Sequence, residues 1–534
     1  MAFRKRKNSN RSVASAKPRK RQQHQRSTNR PLNKSIRIPE NLKDAIINKG
    51  KGLYELNFPI DSLDGLQRLA WGLDLRAETV SVCLKFPNGK ESDFVCFCVH
   101  LSTDDEERQL RHRFCSTKGN DPIMSPCSPR STILTCSLSR ELYGLIGLRG
   151  CRDLAVIYDQ VFKMIKSDPT KHCLICGKNF KSDYRVKLYT PTACPGDCIQ
   201  KLDKWPLRAR LSHVLSDSKT LDFLLCCIYT AVDGQKAVPD LYGTKDSLLV
   251  DCPLKLAQIQ PAIDSLPPLS DKLSISDLLH SGSLRLKNAR RLLLSWLSLR
   301  ARGCMVSLKP GAELSAAGQT REMCHQFMLL NSVLHRQAAF AKSLKQVGVG
   351  SVGFHGCRAS RAFNIITDAL RDMSGKSYHV WSTWDKGIFL SNSPSYSYAY
   401  AATPMPPETP FRAWKYSVFG GQSWAVVFGL EVAMPYIPFR GSPGTKEFNI
   451  LDEGKVMVRY VFLISRTDGS QPLVDGSSSW GIEVDHIIKQ DVMKKAFKAL
   501  DECRLNPQQI GLDVDRSGWN IGQTGTTGGA STTK

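Results

Sequence analysis

The sequence predicts an α+β protein of several folded units, and three observations carry that prediction. Residues Ser351–Tyr400 read as strand, tight glycine turn, helix, loop, second strand and then a serine- and tyrosine-rich helix. Val80–Phe86 and Asp93–Val99 alternate apolar and polar residues around a Pro-Asn-Gly-Lys turn, the pattern of a β-hairpin. Between these two regions, paired cysteines at 173–198 sit among segments of helical period, so a metal-bearing helical module is expected there.

A chain of 534 residues is too long for one compact core, and 41% hydrophobic content is ample for globular folding. The expected organisation is a disordered basic leader over 1–40, an N-terminal α/β region over 41–168, and a cysteine segment with helical connector over 169–320. A C-terminal domain over 321–505 and a Gly/Thr-rich disordered tail over 506–534 complete it. The formal net charge is +25, and the leader contains RKRK at Arg4–Lys7 and KPRKR at Lys17–Arg21 with no acid between Arg4 and Lys34. Such a stretch cannot form a core. It reads as a nuclear-import signal, with cytoplasmic residence as the alternative, or as an arm that displaces counterions from nucleic-acid phosphates.

The 18 cysteines would imply a disulfide scaffold in a small secreted chain, but the start MAFRKRKNSN has no apolar signal segment, so reduced thiols are expected. Apolar runs such as Leu224–Ile228 and Leu292–Trp296 are far too short to span a bilayer, so no membrane insertion is expected.

Taken in order, the upstream elements begin with the hairpin, whose strands carry Cys83, Cys96 and Cys98 as expected core residues. Ser116–Ser131 is polar and rich in Pro and Ser, and reads as a loop. A helix is predicted over Arg152–Lys166, where Leu154, Ile157, Tyr158 and Val161 share a face before Asp168-Pro169 ends it. A mostly helical connector is predicted from Lys287–Arg302.

The cysteine segment comprises HCLICGKNF at His172–Phe180 and TACPGDCIQ at Thr192–Gln200. Cys173 and Cys176 form a CxxC knuckle, a spacing that lets two thiolates meet one ion, and Cys194 and Cys198 bracket a turn that brings back a second pair. Four thiolates make a closed structural zinc centre, which supplies folding energy and no catalysis. His172 is a spare ligand candidate.

Within Ser351–Tyr400, SVGFHG forms an apolar strand ending at His355-Gly356, and Arg361–Met373 continues as a helix with Phe363, Ile366 and Leu370 at helical spacing. Gly387 precedes a short strand, and Ser397 and Tyr400, three apart, share a helix face. Further on come FGLEVAMP at Phe428–Pro435 and a strand opened by Glu447, EFNILDEGKVMVRYVFLI, carrying Asp452, Val456 and Tyr460.

In order and spacing these pieces resemble the catalytic domain of the poly(ADP-ribose) polymerase superfamily, the diphtheria-toxin-like ADP-ribosyltransferases. The resemblance spans about Cys324–Asp485. The segments His325–Val333 and Val458–Gly469, together with the upstream cysteines, are most similar to a mono-ADP-ribosylating branch. It implies a mixed, split β core with flanking helices and NAD as substrate.

Cleaving the nicotinamide from NAD leaves an oxocarbenium-like sugar, so a protein must grip the carboxamide, fix both riboses and set negative charge beside the developing cation. The resemblance assigns these roles residue by residue. Gly356 would meet the carboxamide with backbone donor and acceptor, Ser397 would add a hydroxyl, and Tyr400 would stack on the ring. His355 would hydrogen-bond the adenosine-side ribose, and Glu447 would accept from the nicotinamide ribose and steady the cation. His355 and Glu447 are thus the catalytic candidates.

One position departs from the pattern. Where the family has a tyrosine after its Gly-Ile, this chain has Phe389, also a cofactor-binding candidate, and the phenol hydrogen bond is lost. The expected activity is transfer of single ADP-ribose units from NAD to protein acceptors. The alternatives are a catalytically silent NAD- or ADP-ribose-binding scaffold, or a nucleic-acid-binding regulator acting through the leader.

Overall fold

The computed structural model describes residues 38–501, apart from 64, 74–76, 87–94, 102–114, 117–131, 181–191, 195, 216, 238–248, 250, 271–274, 281, 309–323, 349, 374–385, 403–409, 435–446 and 467–489. The basic leader as far as residue 37, the hairpin turn at 87–90, the loop over 117–131 and the C-terminal tail lie outside the described residues. The rest is mixed helix and strand with two antiparallel sheets.

The first sheet consists of β1 (Ile46–Gly50), β2 (Leu53–Pro59), β3 (Thr79–Lys85), β4 (Cys96–Leu101) and β5 (Cys115–Ser116), in that order across the sheet. β1 and β2 are joined through Lys51 at φ 51° and Gly52 at φ 75°. Two consecutive left-handed residues make the turn whose twist matches the flanking strands. The predicted hairpin forms with Lys85 opposite Cys96 and Cys83 opposite Cys98. Because successive strands pair with one another, this region is antiparallel α+β, where an alternating α/β arrangement was expected.

Tyr54, Leu56 and Phe58 of β2, Val80, Val82 and Leu84 of β3, and Phe97, Val99 and Leu101 of β4 are buried in one cluster. Each such side chain contributes about 1.5–3 kcal/mol by leaving water. The helices Ile133–Leu142 and Leu154–Lys166 pack on that face. The second helix follows the predicted face, starting where the Asp153 carboxylate accepts from the N–H groups of Ala155 and Val156 at 2.8 and 3.3 Å. Its Tyr158 stacks on Phe58 with ring centroids 4.6 Å apart. Cys96 is only half-buried, while Cys83 and Cys98 are buried as expected but outside this cluster. The pleat turns them to the opposite face, because they alternate with Val82, Leu84, Phe97 and Val99.

The second sheet has the order β11-β9-β8-β10-β12-β7-β6. Its strands are β6 (Cys304–Ser307), β7 (Cys324–Asn331), β8 (Ser351–Cys357), β9 (Ile388–Ser391), β10 (Trp424–Val432), β11 (Glu447–Ile450) and β12 (Val456–Ser465). Every pairing is antiparallel, which corrects the expected mixed sheet. A parallel neighbour needs a crossover returning the chain to the same end of the sheet. Here the connections, including the helix Ala362–Asp368 between β8 and β9, bring each strand to its neighbour from the opposite end. Within this one sheet the join of β8 to β9 is narrow, a single ladder pair with Phe354 opposite Ser391.

Two further expectations change. The helix after β8 stops at Asp368, because Ala369 takes φ 71° and breaks the helical path, although Leu370 is still buried. Glu447 opens β11 alone, and the long strand starting at Val456 is separate. Asp452 caps the 3₁₀ turn Glu453–Lys455 between them, accepting from the Gly454 N–H at 2.9 Å.

One face of this sheet is covered by the helices Ser218–Ala237, Leu256–Asp264 and Leu284–Arg300, the last of which is the predicted connector. Phe223 stacks on Phe327 of β7 at 4.5 Å. The buried carboxylate of Asp222 accepts from the Trp414 indole and, at 2.8 Å, from the Val418 N–H. Burial pushes its pKa up while these donors oppose the rise. On the other face, Tyr398, Tyr460 and Phe462 pack with Met493 and Phe497 of the helix Gln490–Asp501. Arg300, ending the connector, pairs with Asp368 at 3.1 Å and so ties the helical layer to the segment following β8.

Candidate functional site

The parting of β8 from β9 gathers the sequence-predicted residues. The His355 ring nitrogen Nδ1 lies 2.9 Å from the Phe389 carbonyl oxygen, bridging the two strands just past their single pair. A carbonyl only accepts, so Nδ1 carries the proton and Nε2 of the neutral ring is an acceptor. Burial lowers the His355 pKa, with the Phe389 carbonyl opposing and Arg361 adding to the fall, so the neutral ring prevails at pH 7.

Gly356 has a packing role that the sequence reading did not foresee. A Cβ there would stand 1.8 Å from the Ser397 carbonyl oxygen and 3.2 Å from the Ala401 nitrogen. Only glycine lets the helix Pro394–Ala402 lie this close on β8. Ser397 is buried against the strand while Tyr400 is 54% exposed, so the two share the helix but face different surroundings.

Glu447 is joined to the same helix. Its Oε1 accepts from the Tyr396 hydroxyl in a short hydrogen bond and from the Tyr400 hydroxyl at 2.9 Å. The two rings meet edge to face at 5.4 Å. Burial and then Glu447 raise the Tyr396 pKa, so the phenol stays protonated and donating. Tyr400 thus holds the carboxylate here, in addition to any ring stacking. Tyr396 joins the candidate site although it was not among the sequence candidates; the signal that could have found it is its i, i+4 spacing to Tyr400. Register also sets Glu447 opposite Ser391, the residue that pairs with Phe354.

The floor of the site is tied to its surroundings. The Gly387 N–H donates to Asp372 Oδ1 at 3.3 Å, and the Asp372 N–H donates to Glu453 Oε1 at 2.9 Å. Glu453 in turn pairs with Arg336 at 2.8 Å. Phe389 is half-buried on β9 and meets His355 through its backbone carbonyl. The segment 435–446 that leads into Glu447 lies outside the described residues.

The four predicted cysteines converge: the sulfurs of Cys173, Cys176, Cys194 and Cys198 lie within 4.8 Å of one another, and Cys176 and Cys194 are 3.9 Å apart. The Cys173 N–H donates to Lys178, and the Gly177 N–H to Cys173, both at 2.9 Å. Gly177 sits at φ 69°, so the glycine after CxxC is part of the knuckle. N–H groups of Ile175 and Cys194 point at the Cys173 sulfur at 3.4 and 3.2 Å. Burial pushes the Cys173 thiol up, but these and other backbone donors outweigh it and bring its pKa down to about 7. Burial and the neighbouring thiols push Cys194 up to about 12 and Cys198 up to about 11.

A thiophilic divalent ion would replace those protons, and four sulfurs fit tetrahedral zinc with no open position. His172 is not part of the group; its backbone bridges to Asn179. Two arginines offset the charge that four thiolates would carry. Arg140 donates to the carbonyls of Leu174 and Ile175. Half-buried Arg302, just beyond the connector helix, donates to Thr192 Oγ1 at 2.7 Å; desolvation lowers its pKa to about 10 and Cys173 opposes the fall.

Comparison with protein-family models gives no match, and comparison with curated proteins gives none either. Among the described residues no helix is long and apolar enough to cross a membrane.

Proposed function

We propose that the protein is an NAD-dependent ADP-ribosyltransferase, a pentosyl transferase that moves single ADP-ribose units to protein acceptors, built with a C-terminal ADP-ribosyltransferase fold and a structural zinc at the tetracysteine group. The observation that carries this reading is the convergence of His355, Ser397, Tyr400 and Glu447, from three separate elements, where β8 and β9 part.

In this reading the bond between the ribose anomeric carbon and the nicotinamide nitrogen breaks, and its electron pair leaves with neutral nicotinamide. A nucleophile on the acceptor bonds to the anomeric carbon and gives up its proton. His355 Nε2 accepts from a ribose hydroxyl and fixes the sugar. Ser397 and the Gly356 backbone orient the carboxamide. The Glu447 carboxylate, aimed by Tyr396 and Tyr400, stands beside the carbon as positive charge develops. Single-unit transfer follows from the similarity to a mono-ADP-ribosylating branch. Labelled ladders that collapse under a polymer-degrading glycohydrolase would overturn it.

A second reading rests on Phe389, which lacks the phenol of the family pattern. In that version the cleft binds NAD or ADP-ribose without turnover and the chain serves as a scaffold. Incubation with NAD labelled in the adenylate moiety separates the two, since transfer leaves label on acceptor protein and binding alone does not. The basic leader, Arg4–Lys34, is proposed to direct the chain to the nucleus and to contact nucleic acid, which salt-sensitive binding lost on its removal would support.

A further inference from the structure

We propose that the N-terminal sheet holds a second metal site, in which Cys83, Cys98 and His100 bind zinc on the face turned away from the helices. The register sets Cys83 of β3 directly opposite Cys98 of β4, and His100, two residues further along β4, rises on the same face opposite Ser81. The two sulfurs and an imidazole nitrogen all lie within 4.8 Å of one another, the limit that the tetracysteine group also meets. Zn–S and Zn–N bonds of about 2.3 and 2.0 Å place tetrahedral ligand atoms about 3.5–3.8 Å apart, so small side-chain rotations close the site.

The surroundings suit a metal better than a set of packing thiols. A packing cysteine would point into the cluster formed by Val82, Leu84, Phe97 and Val99, whereas these two share a polar face with Glu55, Asn57 and Ser81. That face is ordered: Ser81 donates to Asn57 Oδ1 at 2.6 Å, and Glu55, opposite Cys83, pairs with Lys49 at 3.2 Å. Both cysteines are buried, at 4% and 5% exposure, and His100 is half-buried, which leaves the ion a route in from its side.

Charge balance favours a dication. Two thiols lose their protons to solvent on binding, and two thiolates with a neutral imidazole and Zn²⁺ sum to zero, the least costly state for a buried centre. Three protein ligands leave a fourth position for water or for Glu55, the acid nearest in register, in contrast to the closed tetracysteine group. Bridging β3 to β4, the ion fastens the middle of the sheet.

The test counts zinc on full-length protein purified without chelator, by elemental mass spectrometry against protein concentration. The proposal expects about two zinc ions per chain, about one in C83S/C98S, about one in C173S/C176S and none when all four are changed. Because the paired serines sit in the sheet, H100Q provides a gentler variant. It should fold as the parent by circular dichroism and give up one zinc to a chelator at least about tenfold more readily. A parent carrying one zinc that C173S/C176S removes entirely would overturn the proposal. So would a second zinc that survives both C83S/C98S and H100Q, or a Cys83–Cys98 disulfide in protein never exposed to oxidant.

Discussion

Replacing Gly356 with alanine adds one methyl group where the helix Pro394–Ala402 rests on β8, 1.8 Å from the Ser397 carbonyl oxygen and 2.8 Å from its carbon. Both atoms are backbone, so no side-chain rotation relieves the overlap, and the helix must retreat by about 1.5 Å to restore ordinary contact. Overpacking of this kind costs about 1–3 kcal/mol of stability. The effect on chemistry should be larger than the effect on folding. The helix carries Ser397 together with Tyr396 and Tyr400, whose hydroxyls hold Glu447, so one displacement would move the proposed carboxamide contact and the carboxylate at once. Misplacement by about 1 Å commonly costs about 10²-fold in rate. Thermal unfolding and labelled-NAD transfer, measured side by side, should show a folded G356A protein with at least about 10²-fold less transfer. Parental activity in folded G356A would refute the idea that this helix positions the site.

Other consequences follow from the same geometry. E447Q should depress transfer by about 10²-fold or more, and Y396F should do so less severely, because Tyr400 still donates to the carboxylate. In C173S/C176S, zinc bound at the tetracysteine group should be lost and unfolding should move to lower temperature, as a closed thiolate centre contributes folding free energy. The pH profile should show an acid limb from His355. Its pKa is lowered, so the neutral ring persists as pH falls and activity fails only below about pH 6.5, where the ring gains a second proton and Nε2 can no longer accept. A limb centred above pH 7 that vanishes in H355A would contradict that assignment.

What the sequence made legible was local. The hairpin of β3 and β4, the helix Leu154–Lys166 and the CxxC knuckle each lie within about 15–25 residues, so period and spacing were enough to place them. The strand ending at His355-Gly356 and the short strand after Gly387 were readable for the same reason. Non-local pairing was not. Tyr396 meets Glu447 across 51 residues, and Gly356 meets Ser397 across a segment that periodicity does not link. The sheet order also escaped, as did the break between β11 and β12, where a single capping aspartate ends what looked like one apolar strand. The burial of Cys83 and Cys98 was legible but their face was not, because alternation alone does not say which face of a sheet the helices will cover.

The most direct test of the account is incubation of the full chain with NAD labelled in its adenylate moiety, alone and with acceptor protein, beside H355A, S397A and E447Q. The account predicts covalent label on protein with release of nicotinamide from the parent, and strongly reduced label from each variant while its fold persists. Parent protein that binds NAD yet leaves no label, or variants that label as the parent does, would contradict it.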